Sequence, residues 1–152
     1  MGNELSGVIE EREHRFCLRV YFEDTDAAGI VYYANYLRFA ERARTEMVRM
    51  LGIEHSSLMD ENGLGIVFAV GRVEIDYLRS GRLDDLLEVK TRIVDVGGAS
   101  LGLEQVVCRV ADGEVLARII VKLVCMTLAG KAKRIEGHLR QRLLEFVTER
   151  QN

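Results

Sequence analysis

Several features that mark other protein classes are missing from this sequence. No apolar run approaches the roughly 20 residues of a membrane-spanning helix, and residues 1–15 lack the basic and apolar regions of a secretory signal. The three cysteines, Cys17, Cys108 and Cys125, show no C-x-x-C spacing. An odd number of strand cysteines predicts packing roles in a reducing compartment, the cytoplasm. The net charge of −3 argues against nucleic acid as a partner.

The common catalytic and cofactor motifs are also missing. His14, His55 and His138 are scattered rather than clustered, which is typical of surface or capping residues and predicts no metal site. The chain has no G-x-S-x-G elbow, no visible Cys–His pairing and no phosphate loop of the G-x-x-x-x-G-K type. We therefore expect neither a metal nor a bound cofactor, and any chemistry must come from another arrangement.

The chain is long enough for one domain with a sizeable core, and 48% of its 152 residues are apolar. Periodicity predicts strands over residues 15–22, 66–79, 86–96, 99–110 and 114–127, and helices over about 36–51, 54–62 and 137–150. The hairpin signals Gly97-Gly98 and Asp112-Gly113 predict antiparallel pairing. We expect a single α+β domain over residues 1–152, with its core at about 15–130. Its unpaired sheet edges and outer face predict a homo-oligomer.

The longest helix is the element around which the sheet is expected to fold. Apolar residues recur along it at steps of three and four and form one stripe. The stripe consists of Tyr36, Phe39, Ala40, Ala43, Met47, Met50 and Leu51. Ala40 and Ala43 would let a sheet approach closely. The last strand, 114–127, has apolar residues on both faces, which predicts burial on both sides. Asn35 is the predicted N-cap, and Gly52 is predicted to follow the helix.

An acidic turn, residues 24–33 with the sequence D-T-D-A-A-G-I-V-Y-Y, precedes this helix. Acidic side chains at that position commonly cap a helix and offset its dipole, and Gly29 would permit a positive φ. The alternative interpretation is catalytic, because large aromatic side chains follow a carboxylate where free backbone amides face outward. Spacing alone leaves both interpretations open.

The segment D-T-D-A-A-G-I-V-Y-Y-A-N-Y-L-R-F-A-E-R-A-R resembles the signature of the 4-hydroxybenzoyl-CoA thioesterase family of hotdog-fold enzymes. It is most similar to the acyl-CoA thioesterase branch associated with the Tol-Pal system. The resemblance extends through V-E-I-D-Y-L-R-S-G-R-L-D-D-L-L-E-V and G-G-A-S-L-G-L-E-Q, over residues 15–130 approximately. It implies an antiparallel sheet wrapped around the long helix, paired into dimers and often tetramers, and the hydrolysis of acyl-CoA thioesters.

The resemblance also implies roles for particular residues. The catalytic carboxylate falls on Asp26, facing a groove between subunits, and the backbone amide that polarises the thioester carbonyl falls near Tyr33. Asp24 is expected to be structural. The substrate cleft would include Gly29, Ile30, Val31, Phe68, Ala69 and Val70. The carboxylate could attack directly or activate water, and the sequence does not choose between these routes.

Two departures from the family pattern affect these expectations. Ser80-Gly81 stands where the family often has Pro-Ala, which leaves that turn less rigid. Tyr33 stands where the Tol-Pal branch often has histidine, which leaves an aliphatic or aromatic acyl group open. Two further functions also stay open: a non-catalytic acyl-thioester-binding protein, and a thioesterase acting on acyl carrier protein. Basic residues that could contact the phosphates of coenzyme A, or simply lie in solvent, are Lys90, Arg92, Lys131, Lys133 and Arg134.

Overall fold

The computed structural model describes residues 5–53 and 65–148. They form six strands, β1 to β6, and two helices, α1 and α2. The strands are Val8–Glu10, Glu13–Arg19, Ile66–Tyr77, Leu86–Val96, Ser100–Arg109 and Val115–Thr127, and the helices are Asn35–Met50 and Gly137–Glu145. The predicted short helix at 54–62 lies outside the described residues.

All six strands belong to one antiparallel sheet, in the order β1-β2-β4-β5-β6-β3. Both predicted hairpins are confirmed: the Gly97 N–H bonds to the Ser100 carbonyl, and the Gly113 N–H bonds to the Arg109 carbonyl. Strand β3 follows α1 in the chain but pairs with β6, the last strand. Within the described chain, β3 therefore forms one edge of the sheet.

The predicted stripe of α1 packs on the inner face of the sheet. Phe39, Ala40 and Ala43 have no exposed surface, and the helix contacts β2, β4 and β5. The absence of side chains beyond Cβ at Ala40 and Ala43 permits this close approach. The architecture is thus the predicted α+β fold, a sheet curved around a helix. Gly52 follows α1 with a φ of +82°, as predicted.

A buried polar cluster ties α1 to the sheet beneath it. Gln105 on β5 donates from Nε2 to the Ala40 carbonyl at 2.9 Å and to Thr91 Oγ1 at 3.0 Å. Its Oε1 accepts from Arg44 Nη1 at 3.0 Å. Gln105 and Thr91 are fully buried, so these directional bonds help to set where the helix lies on the sheet.

The first strand prediction was wrong at both ends. A strand at Val8–Glu10 precedes it and forms a hairpin through Glu11 and Arg12, whose φ angles are +50° and +64°. This turn contains neither glycine nor asparagine, the usual signals of such a geometry. At the other end, Phe22 lies in a short 3₁₀ turn, Phe22–Asp24, and is 81% exposed instead of continuing the buried face.

Three smaller predictions also need correction. Strand β6 is buried mainly on one face, because Ile120 is exposed and Val124 only partly buried on the other. Cys17 is exposed, with its Sγ 3.9 Å from Glu88 Oε2, so it is not a buried packing residue. Helix α2 ends at Glu145, because the chain then returns to the sheet and Thr148 N–H bonds to the Ile93 carbonyl.

Candidate active site

Asp26 lies at the tip of a tight turn directly ahead of α1. Its N–H bonds to the Ile30 carbonyl at 2.9 Å, and its carbonyl accepts from Gly29 N–H at 3.0 Å. Gly29 has a φ of +77°, a conformation in which a glycine avoids the strain of a β-carbon. The Asp26 carboxylate accepts one bond, at Oδ1 from Ala28 N–H at 2.9 Å. It is exposed in the single chain, at a shallow hollow of about 360 Å³.

Asp24 occupies a different environment two residues earlier. It is buried, and its Oδ2 accepts from Tyr21 N–H at 2.9 Å. Its carbonyl accepts from both Tyr32 N–H and Asn35 Nδ2, each at 2.9 Å. The predicted structural role of Asp24 is confirmed, since these bonds hold the turn against the start of the helix.

The predicted N-cap was wrong in its detail. Asn35 is the first residue of α1, Ala34 occupies the N-cap position, and no side chain caps the helix. The Asn35 amide instead donates away from the helix, to Asp24. Within residues 5–53 and 65–148, the backbone N–H groups of Tyr33 and Ala34 have no hydrogen-bond acceptor. The first turn of α1 therefore presents free amides beside the acidic turn.

Tyr77 is a residue near this turn that the sequence did not single out. It ends β3, and its Oη donates to the Tyr33 carbonyl at 2.9 Å. Its ring packs edge-on against Tyr33 and Tyr36, with centroids 6.2 Å and 5.6 Å apart. In the sequence Tyr77 is one of several alternating strand residues, and nothing local connects it to a residue 44 positions away.

The six predicted substrate-contacting residues fall into two separate regions of the chain. Gly29, Ile30 and Val31 continue the turn from Asp26, and Val31 is buried with its N–H bonded to the Gly81 carbonyl at 2.8 Å. The other three, Phe68, Ala69 and Val70, lie on β3. Phe68 and Val70 line a second cavity, of about 300 Å³, beside the C-terminal half of α1. The single chain does not bring the two regions into one cavity.

That second cavity is mainly apolar. Its walls come from the last turns of α1, the first half of β3, the inner face of β5 and α2. Aliphatic side chains there include Val48, Ile66, Leu103, Leu139 and Leu143. Glu41, Arg44 and Thr45 add polar groups along one side. A cavity of this composition suits an apolar chain better than a nucleotide.

The five basic residues considered for coenzyme A do not line the Asp26 hollow. Arg92 already pairs with Glu13, Nε to Oε2 at 2.7 Å, and Lys90 lies 4.0 Å from Glu88, both pairs on the sheet. Lys131, Lys133 and Arg134 are exposed after β6. The basic residue that does line the hollow is Arg38, on the first turn of α1, which the sequence had placed on a polar helix face.

Comparisons with known proteins agree with this arrangement. Residues 20–143 match the family described as the thioesterase-like superfamily. The chain belongs to the thioesterase-like superfamily. The expected hotdog-fold relationship is thereby confirmed, and the match includes the acidic turn, α1 and all of the sheet from β3 to β6.

Relatives within the thioesterase-like superfamily are similar over most of their length. One, from Haemophilus influenzae, is named acyl-CoA thioesterase YbgC; it is 45% identical over 118 residues, 78% of this chain and 83% of the relative. The long-chain acyl-CoA thioesterase FadM of Escherichia coli is 34% identical and covers 75% of this chain and 84% of its own. A probable thioesterase from Bartonella henselae, solved by crystallography, superposes with a TM-score of 0.77 at 35% identity, covering 82% and 99% of the two chains.

Two further features are absent from the described part of the chain, a metal-binding cluster and a membrane-crossing helix. No group of three or more histidine, cysteine, aspartate or glutamate side chains is placed there to hold a metal ion. Neither α1 nor α2 combines the length and the apolar character of a membrane-crossing helix.

Proposed function

We propose that this protein hydrolyses acyl-CoA thioesters with Asp26 as the catalytic carboxylate. The observation that carries the proposal is the pairing of an available carboxylate with unpaired backbone amides at the start of α1. Asp26 Oδ1 accepts one local bond, and the N–H groups of Tyr33 and Ala34 have no acceptor in the described chain. The names of the relatives supply the substrate class, an acyl-CoA.

In the proposed chemistry the free amides bind the carbonyl oxygen of the thioester, and Asp26 supplies or activates the nucleophile that attacks its carbon. The carbonyl oxygen of a thioester gains negative charge when its carbon is attacked, and free amides at the positive end of a helix dipole stabilise that charge. Asp26 either attacks the carbonyl carbon, giving a mixed anhydride that water then opens, or removes a proton from the attacking water. In both routes the carbon–sulfur bond breaks, and the products are a free acid and the thiol of coenzyme A.

We also propose that a second copy of the chain completes the site. In the single chain Asp26 is exposed, and Phe68 and Val70 line a separate cavity on β3. Strand β3 is a sheet edge among the described strands, so a partner docking along it would extend the sheet. A groove formed in this way would bring the β3 cavity of one copy towards the acidic turn of the other. Dimer against tetramer, the cytoplasmic location and the Tol-Pal association stay predictions.

Asp26→Asn tests the catalytic role directly. We expect its kcat for thiol release from acyl-CoA to fall by about 10²- to 10⁴-fold, the usual contribution of a positioned acid or base. Asp24→Asn should lose far less, because an amide oxygen can still accept from Tyr21 N–H. Substrates should span short, long and aromatic acyl groups, with matched acyl carrier protein thioesters to identify the carrier.

Three results would change the interpretation. Unchanged turnover by Asp26→Asn removes the proposed catalyst. Saturable binding of acyl-CoA without thiol release by the wild type favours the binding-protein alternative. A binding protein has no need of a buried carboxylate, and Asp26 is exposed in the single chain. An acylated peptide containing Asp26, trapped by rapid quench, distinguishes the nucleophilic route from the general-base route.

A further inference from the structure

The Tyr77 hydroxyl is the side-chain group that reaches the backbone linking the acidic turn to α1. Tyr77 Oη donates to the Tyr33 carbonyl at 2.9 Å across 44 residues of sequence. Burial raises the pKa of Tyr77, and the nearby Tyr33 hydroxyl raises it further, so the phenol stays protonated and able to donate. The phenol is therefore in its donor form at neutral pH.

Two successive peptide groups at this junction are held through their carbonyl oxygens. The Tyr32 carbonyl accepts from Asn35 N–H at 2.8 Å, and the Tyr33 carbonyl accepts from Tyr77 Oη. A trans peptide is planar, with its C=O and N–H pointing in opposite directions. Fixing the Tyr32 carbonyl therefore also fixes the direction of the Tyr33 N–H, and fixing the Tyr33 carbonyl fixes that of the Ala34 N–H. Each N–H points to the side opposite its own carbonyl.

We propose that Tyr77 is a positioning residue for the thioester hydrolysis, orienting the free amides at the start of α1 through its bond to the Tyr33 carbonyl. This inference rests on the proposed function and adds a residue to it. Tyr77 touches neither substrate nor the reacting atoms in this role. It fixes the direction of the donors that would receive the developing negative charge.

The surroundings of Tyr77 suit a positioning role. It is the last residue of a twelve-residue strand, and its ring packs edge-on against Tyr36. The Tyr36 hydroxyl is itself held, accepting from the buried Gly81 N–H at 3.0 Å. A donor on a rigid element, supported by a second ring, keeps an angle that a loop side chain would not. Tyr77 is 45% exposed and its bond to the Tyr33 carbonyl is itself solvent-exposed, so its hydroxyl is not required to satisfy a buried group.

The test is Tyr77→Phe, which removes one oxygen and leaves the ring packing. Tyr21→Phe is the matched control, since Tyr21 is an exposed tyrosine ahead of the same turn. We expect kcat of Tyr77→Phe to fall about 3- to 10-fold, the rate equivalent of one net hydrogen bond, with KM unchanged. The Ala34 amide signal in a ¹⁵N NMR spectrum should move in Tyr77→Phe and stay in place in Tyr21→Phe.

The outcomes separate this inference from the proposed function. Suppose that the wild type releases thiol, that Asp26→Asn does not, and that Tyr77→Phe has the kcat of the wild type. The proposed function then stands and the positioning role is overturned. A higher KM with unchanged kcat also overturns it, because that pattern reports ground-state binding. If the wild type releases no thiol, the NMR comparison still decides whether the hydroxyl orients the Ala34 peptide, and an unmoved signal overturns that claim.

Discussion

Replacing Gln105 by leucine should reveal how strongly the buried polar cluster stabilises the contact between α1 and the sheet. Gln105→Leu keeps a similar volume but removes three hydrogen bonds, to Arg44, Thr91 and the Ala40 carbonyl. Ala40 lies inside α1, so its carbonyl retains a helical partner. The cost therefore falls on the Arg44 guanidinium and the Thr91 hydroxyl.

The expected loss in the free energy of unfolding depends on whether each group can reach water once Gln105 is replaced. Thr91 has no exposed surface, so its hydroxyl stays buried without this partner, which costs about 1–3 kcal/mol. Burial lowers the pKa of Arg44, which marks a partly desolvated cation, but its long side chain can turn towards solvent. We assign Arg44 about 1–2 kcal/mol. The sum, about 2–5 kcal/mol, corresponds to a lower thermal midpoint by about 4–20 °C for a chain of this size.

Urea unfolding at one fixed protein concentration provides the measurement, because association would shift the midpoint. Thr91→Val provides the partner for a double-mutant cycle. Adding it to Gln105→Leu should cost less than adding it to the wild type, by about 1 kcal/mol, because the orphaned hydroxyl is gone. A free energy of unfolding for Gln105→Leu within about 0.5 kcal/mol of the wild type would refute the reasoning about the cluster.

Two other predictions concern stability. Burial lowers the pKa of His14, whose Nδ1 is buried and has no partner among the described residues, while Nε2 bonds to the Ser6 carbonyl. As pH falls, the unfolded chain binds the His14 proton before the folded chain does. The contribution of His14 to stability should therefore be full above pH 6.5 and fall as pH drops below it. The difference between the urea midpoints at pH 7.5 and pH 5 should be smaller for His14→Gln than for the wild type. Ala43→Leu should lower the free energy of unfolding by about 1–3 kcal/mol, because Ala43 is fully buried against the sheet; an unchanged urea midpoint would contradict that packing.

Much of the fold could be predicted because its signals are local. The period of α1, the glycine-marked hairpins after β4 and β5, and the alternation along the strands each involve neighbours a few residues apart. Predictions were wrong where the local signal was absent or misleading. The turn at Glu11-Arg12 carries none of the usual turn residues. The apolar residues on the outer face of β6 suggested burial there, but Ile120 on that face is exposed.

The candidate site divides in the same way. The acidic turn before a helix was predictable, because Asp26, Gly29 and the start of α1 are close in sequence. The hydrogen-bond partners of Asp24 and Asn35 could not be predicted, because they depend on burial and on which atoms the fold brings together. The sequence placed Arg38 on a polar face of the helix and gave no sign of a role in the site. In the folded chain Arg38 and Asp26 line the same hollow.

The amino-acid sequence by itself determined the α+β class, the long helix and the acidic turn ahead of it, because periodicity and turn chemistry act over a few residues. Only the tertiary structure decided that β3 pairs with the last strand, that Gln105 lies beneath Ala40, and that Tyr77 reaches the Tyr33 carbonyl. Those contacts join residues 40 or more positions apart, and their geometry depends on how the whole sheet curves around α1.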